Sequence, residues 1–206
     1  MNLEKEKENF KHHVASFMDY GNIKVLDFKN PDSTCYRIRF LFEEDYCRLH
    51  ISGDLGDLTA SNFNNMTYEK FSSFVNNVGY FEEKIDCHSR RLYFYDENKA
   101  REELEEMAKE DKWLLFTNKY SYEEDDSEKL NNIINDIMID FDDETGIGEK
   151  GYSELEDLEF DAFELVGNIG KKATGILELY MLAFKLAKEQ LEASVTSGLS
   201  GSKILP

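Results

Sequence analysis

From Tyr36 to Phe42, and again from Arg48 to Ile51, every second side chain is apolar, and this period of two constrains the fold more than any other feature of the chain. Tyr36, Ile38, Phe40 and Phe42 share one parity, with Arg37 and Arg39 on the other. Glu43-Glu44-Asp45 then turns the chain, and Leu49 and Ile51 repeat the pattern around His50. A period of two is the signature of a strand with one buried face, and short polar connections make the pairing antiparallel. The same reading gives strands at Ile23 to Phe28, Cys35 to Phe42, Tyr46 to Ser52 and Leu58 to Phe63. Gly53-Asp54-Leu55-Gly56-Asp57 supplies turn chemistry between the last two.

Elsewhere the period changes to that of a helix. Leu3 to Asp19 reads as a helix, with Phe10, Val14, Phe17 and Met18 at helical spacing and Tyr20-Gly21-Asn22 as its stop. Thr67 to Asn76, Asp96 to Glu110, Leu130 to Phe141, Leu155 to Val166 and Lys171 to Ser194 read likewise, with a short extended segment at Arg91 to Tyr95. Gly198 to Pro206 reads as a frayed tail. The expectation is an α+β protein, an antiparallel sheet of three to five strands packed by helices and followed by an acidic helical region. The expected division is a sheet domain at 1–120 and an acidic helical region at 121–206 that ends in a long apolar helix.

Charge is the second constraint. The 206 residues carry 43 acidic and 24 basic side chains, a net of −19. Residues 121–164 hold 17 of the acids against Lys129 and Lys150 alone, a net of −15. Hydrophobic residues make up 41% of the chain, which is enough for a core and excludes global disorder. So acidic a chain is a poor ligand for phosphate backbones, which are bound by Lys and Arg that displace counterions.

Within the acidic block Leu130, Ile133, Ile134, Ile137, Met138 and Phe141 interleave with Asp136, Asp140, Asp142 and Asp143. Leu155, Leu158, Phe163 and Leu165 interleave with Glu154, Glu156, Asp157, Glu159 and Asp161. Apolar residues three and four apart pin a helix to a core and hold its carboxylates outward. A folded acidic face has fixed charge spacing and can imitate a phosphate array. Like charges one turn apart cost about 0.2–0.5 kcal/mol per pair, so such a face needs a reason. Solubility is one reason, and a cationic partner is the other.

Enzyme signatures fit poorly. Asp140, Asp142 and Glu144 have the spacing that opens a calcium loop, but Thr145 stands where that loop needs Gly, and Gly151 where it needs Glu. Cys47, His50, Cys87 and His88 lack the paired spacing of a zinc module. Ser52 has no strand–elbow–helix context, and the Gly53–Asp57 turn has no Lys to cradle a phosphate. Tyr93, Phe94 and Tyr95 beside Arg90 and Arg91 have the look of a base-stacking strip, with one face of a strand as the plainer account. Asp54 and Asp57, joined by other carboxylates, form the one enzyme alternative kept, a metal-dependent nuclease.

The N-terminus has no apolar signal-peptide segment, and Ile176 to Ala187, the longest apolar stretch, falls short of the ~20 residues of a membrane span. Three cysteines cannot all pair within the chain, which fits a reducing compartment. The expected location is the cytoplasm, with neither membrane nor direct nucleic-acid contact and no cofactor. The Ile176–Leu191 helix is apolar around more than one face, which calls for burial or for a partner helix in a homodimer.

The alternating strand Tyr36–Phe42, the run Cys47-Arg48-Leu49-His50-Ile51-Ser52-Gly53-Asp54-Leu55-Gly56, Phe71–Phe74 and Gly79-Tyr80-Phe81-Glu82-Glu83-Lys84 together resemble small uncharacterised proteins of phages and mobile elements of Gram-positive bacteria. The resemblance covers about residues 30–110 and brings no catalytic residue with it. Small acidic phage proteins as a class include anti-CRISPR and anti-restriction inhibitors that occupy nucleic-acid channels. By that likeness of class and charge, the chain is expected to be a non-enzymatic inhibitor of a basic nucleic-acid-handling protein such as a CRISPR effector. Its partner-binding carboxylates are expected to be Glu123, Glu124, Asp125, Asp126, Asp136, Asp140, Asp142, Asp143 and Glu144, with a second row from Glu154, Glu156, Asp157, Glu159 and Asp161.

Overall fold

Alternation becomes sheet where it was expected, and the sheet continues beyond it on both sides. The computed structural model describes residues 3–111, 113, 125–159 and 161–196. In chain order these form α1 (Leu3–Asn9), β1 (Val14–Tyr20), β2 (Ile23–Lys29), β3 (Ile38–Glu43), β4 (Arg48–Gly53), β5 (Leu58–Ser61), α2 (Val78–Glu82), β6 (Ile85–His88), β7 (Tyr93–Tyr95), α3 (Glu97–Asp111), α4 (Asp126–Ile137), α5 (Glu149–Glu156), α6 (Ala162–Val166), β8 (Lys171–Ala173) and α7 (Ile176–Thr196). The protein is α+β. β1 to β6 make one six-stranded antiparallel sheet in sequence order, where three to five strands were expected, and β7 pairs with β8 in a second, smaller sheet. No helix among the described residues is long and apolar enough to cross a membrane.

Two compact units result, Met1–Leu92 with Gly175–Pro206, and Tyr93–Thr174. The partition differs from the expected division at residue 120, because the last helix folds with the sheet and α3 folds with the acidic helices.

In the first unit one sheet face is lined by Leu26, Phe28, Ile38, Phe40, Phe42, Leu49, Ile51 and Leu58, all buried. α7 lays Leu177, Tyr180, Met181, Phe184 and Ala187 into the same core. Of the two readings of that apolar helix, burial in its own unit accounts for its several apolar faces. The other sheet face mixes Val25 and Leu41 with polar side chains. There Arg39 reaches Asp27 with two bonds, Nε to Oδ1 at 2.7 Å and Nη2 to Oδ2 at 2.8 Å.

The strand β1 corrects an expectation. The helix predicted over Leu3 to Asp19 stops at Asn9, and Val14–Tyr20 pairs with β2 across Gly21-Asn22, Gly21 holding the positive φ of 79° that this tight turn needs. Phe17 stacks on Tyr68 at 4.2 Å while Val14 stays exposed, so the helical spacing of these residues was coincidental and hairpin pairing overrides it. Thr67 to Asn76 yields only a short 3₁₀ turn at Phe71–Phe74. The helix expected at Leu155 to Val166 is two short helices, α5 and α6, and Lys171 begins a strand rather than a helix. The C-terminal tail from Gly198 lies outside the described residues.

The second unit packs α3, α4, α5 and α6 around Leu104, Trp113, Ile133, Ile134, Ile137, Met138 and Leu155. α4 and α5 come so close that a Cβ at Gly151 would collide with the Ile137 carbonyl oxygen, which is why a glycine interrupts the first turn of α5. The small sheet is fastened to α3 by Lys99, whose Nζ donates to the Lys171 carbonyl at 2.8 Å, and by Glu103, which accepts from the Gly170 amide at 2.7 Å. Lys171 in turn lies over the Tyr93 ring at 4.2 Å, so the aromatic strip of β7 packs within its own unit.

Candidate acidic interface

The second unit gathers most of the charge. Residues 93–174 contain 25 acidic and 9 basic side chains, a net of −16, against 18 and 15, a net of −3, in the rest of the chain. The block at 121–164 predicted this only in part, because the acids of α3 join the same unit. Several of its cations are matched close by: Lys99 with Glu103 at 2.9 Å, Arg101 with Glu97 at 3.1 Å, Lys109 with Glu105 at 3.7 Å and Lys172 with Asp96 at 2.9 Å. Such exposed pairs contribute little stability, but they leave the face around α4 and α5 with a large excess of carboxylate.

The carboxylates named from sequence divide into two kinds. Asp125, Asp126, Asp142, Asp143, Glu144, Glu156, Asp157 and Asp161 are exposed, whereas Asp136, Asp140, Glu154 and Glu159 are half-buried. Glu123 and Glu124 lie outside the described residues. Asp125 caps α4, its Oδ1 accepting from the Ser127 amide at 3.3 Å. Asp142 closes the next loop by accepting from the amides of Glu144 at 2.8 Å and Thr145 at 3.2 Å, and Asp142 and Gly146 exchange backbone bonds of 2.9 and 2.8 Å. This closed loop holds Asp143 and Glu144 outward.

Asp140 does a different job. Gly148, the N-cap of α5, has no side chain to offer, and Asp140 supplies the missing acceptor from eight residues upstream. Its two oxygens take the Lys150 amide at 2.9 Å and the Gly151 amide at 3.0 Å. Burial pushes its pKa up, but these amide bonds outweigh that and hold the carboxyl below its usual range. The Asp140 contribution is therefore complete above the ordinary aspartate range and disappears as pH falls through the lowered value. Asp140→Ala is expected to cost about 0.5–2 kcal/mol by denaturant titration, and the same substitution at exposed Asp143 about zero. Equal costs at the two positions would deny the cap.

Glu159 also turns inward, accepting from the indole nitrogen of buried Trp113. Burial raises its pKa, the Trp113 bond opposes that rise, and the charges of Asp111 and Asp161 add to it. Asp140 and Glu159 are thus structural carboxylates within the acidic face. Between α4 and α5 a shallow depression is lined by Asp136, Ile139, Lys150, Ser153 and Glu154, with Ile139 63% exposed among the charges.

Asp54 accepts from the Tyr36 amide at 2.9 Å and so ties the loop before β3, while the Asp57 amide donates to Ser89 Oγ at 2.7 Å. Among the described residues no three His, Cys, Asp or Glu side chains are placed to hold a metal ion. One arrangement invisible in the sequence does appear on the mixed face of the large sheet. His50 lies 3.0 Å by Nε2 from Glu43 and 3.2 Å by Nδ1 from Thr59 Oγ1, a carboxylate–imidazole–hydroxyl chain across β3, β4 and β5. The parity of Glu43, His50 and Thr59 was readable, but only the strand register brings them together. The three side chains sit on adjacent strands, Leu41 opposite His50 and His50 opposite Thr59, so the arrangement ties β3, β4 and β5 side by side.

Comparison with protein-family models, with curated proteins and with solved structures gives no match.

Proposed function

We propose that the chain is a non-enzymatic inhibitor of a basic nucleic-acid-handling protein, of the anti-CRISPR or anti-restriction kind, acting through the carboxylates of residues 125–161. The observation that carries this reading is the net charge of −16 on a unit that folds around its own apolar core. Asp125, Asp126, Asp143, Glu144, Glu156, Asp157 and Asp161 are exposed on short helices and a closed loop, so their spacing is set before any partner arrives. Pre-set charge costs less ordering on binding than a floppy tail and steers a cationic groove onto the face. Arg side chains of that groove, with their flat forked geometry, are the natural counterparts of paired carboxylates.

The test is competition. Nucleases taken from a host lysate at low salt on the immobilised chain should be displaced by double-stranded DNA or by guide RNA. Affinity should fall by about tenfold or more between 50 and 200 mM salt, as rim electrostatics does. Retention that ignores both salt and nucleic acid would remove the mimicry mechanism.

A further inference from the structure

Among the described residues one buried side-chain polar atom stands without a hydrogen-bond partner, Nδ1 of His13. The residue is 4% exposed. Its Nε2 lies 3.1 Å from the Tyr36 carbonyl oxygen, which can only accept, so Nε2 carries the hydrogen and Nδ1 is a bare lone pair. The ring sits between Phe10 and Phe28, each with its centroid 5.1 Å away, and Tyr36 meets Phe10 edge-on at 5.5 Å. A proton at Nδ1 would put a charge and an unmet donor into that aromatic cage.

His13 is also where three segments are tied. α1 has seven residues, none buried, and is too short to persist alone, so it depends on Phe10 and His13 just beyond its end. Residues 31–35 are all exposed, and the His13 ring bond to Tyr36 holds the end of that loop. On α7, Gln190 donates through Nε2 to the His13 carbonyl at 3.1 Å and accepts from the Ala15 amide, covering the free edge of β1.

We propose that His13 is an acid-sensitive latch, whose protonation at Nδ1 frees α1 and residues 30–36 from the sheet and uncovers Phe10, Phe28 and Tyr36, while β3 to β5 stay folded. The side chains around the ring favour the neutral form, and the Tyr36 backbone, which favours the charged one, is outweighed by burial. His12 beside it opposes a second positive charge, Phe28 offers an apolar surface from β2, and Gln190 presents a neutral amide from α7. Glu6 of α1 and Asp54 of the β4–β5 loop act on the Tyr36 phenol, and the Cys35 backbone raises the ring's pKa but is outweighed by burial. Burial lowers the imidazole pKa from its ordinary 6.5, so the open form takes the proton first. The latch is fully closed above that value and weakens as pH falls through it, by up to about thirtyfold at pH 5.

Amide exchange of the full chain, corrected for its intrinsic pH dependence and read by mass spectrometry at pH 7.5 and 5.0, tests this. Peptides spanning residues 3–16 should lose protection about ten- to thirtyfold at pH 5.0, with those spanning residues 38–53 unchanged. His13→Gln keeps a donor for Tyr36 without a titrating group and should abolish the loss, while His12→Gln, which removes only the smallest of the influences on the ring, should keep it. Should His13→Gln fail to fold, the His13 ring titrated by NMR in the parent decides alone, a value below 6.5 supporting the latch and one at or above 6.5 overturning it. Equal protection at both pH values, or an undiminished loss in His13→Gln, would overturn it as well.

Discussion

Phe71→Ala is expected to lower the stability of the sheet unit by about 3–5 kcal/mol. Phe71 is fully buried and lies at the centre of an aromatic cluster. Its ring centroid is 4.8 Å from Phe184, 5.5 Å from Phe74 and Phe81 and 5.6 Å from Phe42. These rings come from β3, the 3₁₀ turn, α2 and α7, so truncation leaves a cavity that no one element can close by shifting. Phe63→Ala, at 91% exposure, removes as many atoms and should cost less than about 0.5 kcal/mol. With a urea slope of ~2 kcal/mol/M, the expected midpoint shift is ~2 M for the first variant and almost nothing for the second. The lone tryptophan, Trp113, belongs to the other unit's core, so its fluorescence reports that unit, while amide exchange of peptides spanning residues 38–53, read along the urea titration, follows the sheet unit. A Phe71→Ala shift no larger than that of Phe63→Ala would mean that the ring cluster contributes nothing beyond its bulk.

That cluster also shows where the sequence was legible. The parity of Ile38, Phe40, Phe42, Leu49 and Ile51 gives the core face of β3 and β4 directly, since the side-chain period in a strand is two whatever the surroundings. Phe71 was visible as apolar but not as central, because its place depends on α7 arriving from more than a hundred residues downstream. The β1 segment is ambiguous in sequence for a related reason. Phe10, Val14 and Phe17 satisfy a helical spacing, and only the pairing partner β2 decides between strand and helix.

In the acidic unit, sequence located the charge but not the duties of individual carboxylates. Asp140 and Glu159 look like their neighbours in a linear reading, yet one caps a helix whose own N-cap is a glycine and the other bonds an indole. Asp140 reaches ten and eleven residues along the chain and Glu159 reaches 46, and neither task leaves a local signature beyond Gly148. The acids of α3 belong to the same unit, but nothing in the composition of α3 shows which core takes Leu104.

The distinction between structural and displayed carboxylates sharpens the binding experiment. Reversing Asp143, Glu144 and Asp157 together to Lys is expected to weaken the partner complex by about a hundredfold at low salt, and by much less at 0.5 M salt. Each exposed reversal replaces an attraction with a repulsion worth about 1 kcal/mol across a partly screened interface, and three sum to roughly two decades. Stability should hold or rise, because the change relieves repulsion in a unit of net −16. Asp140 is left out of the set deliberately, since its reversal would unfasten α5 and confuse lost structure with lost charge. Binding is measured by calorimetry or surface resonance against the captured nuclease, and stability by the Trp113 transition. A triple variant that melts like the parent and binds like it would show that these carboxylates serve solubility alone, and the inhibitor reading would fall with them.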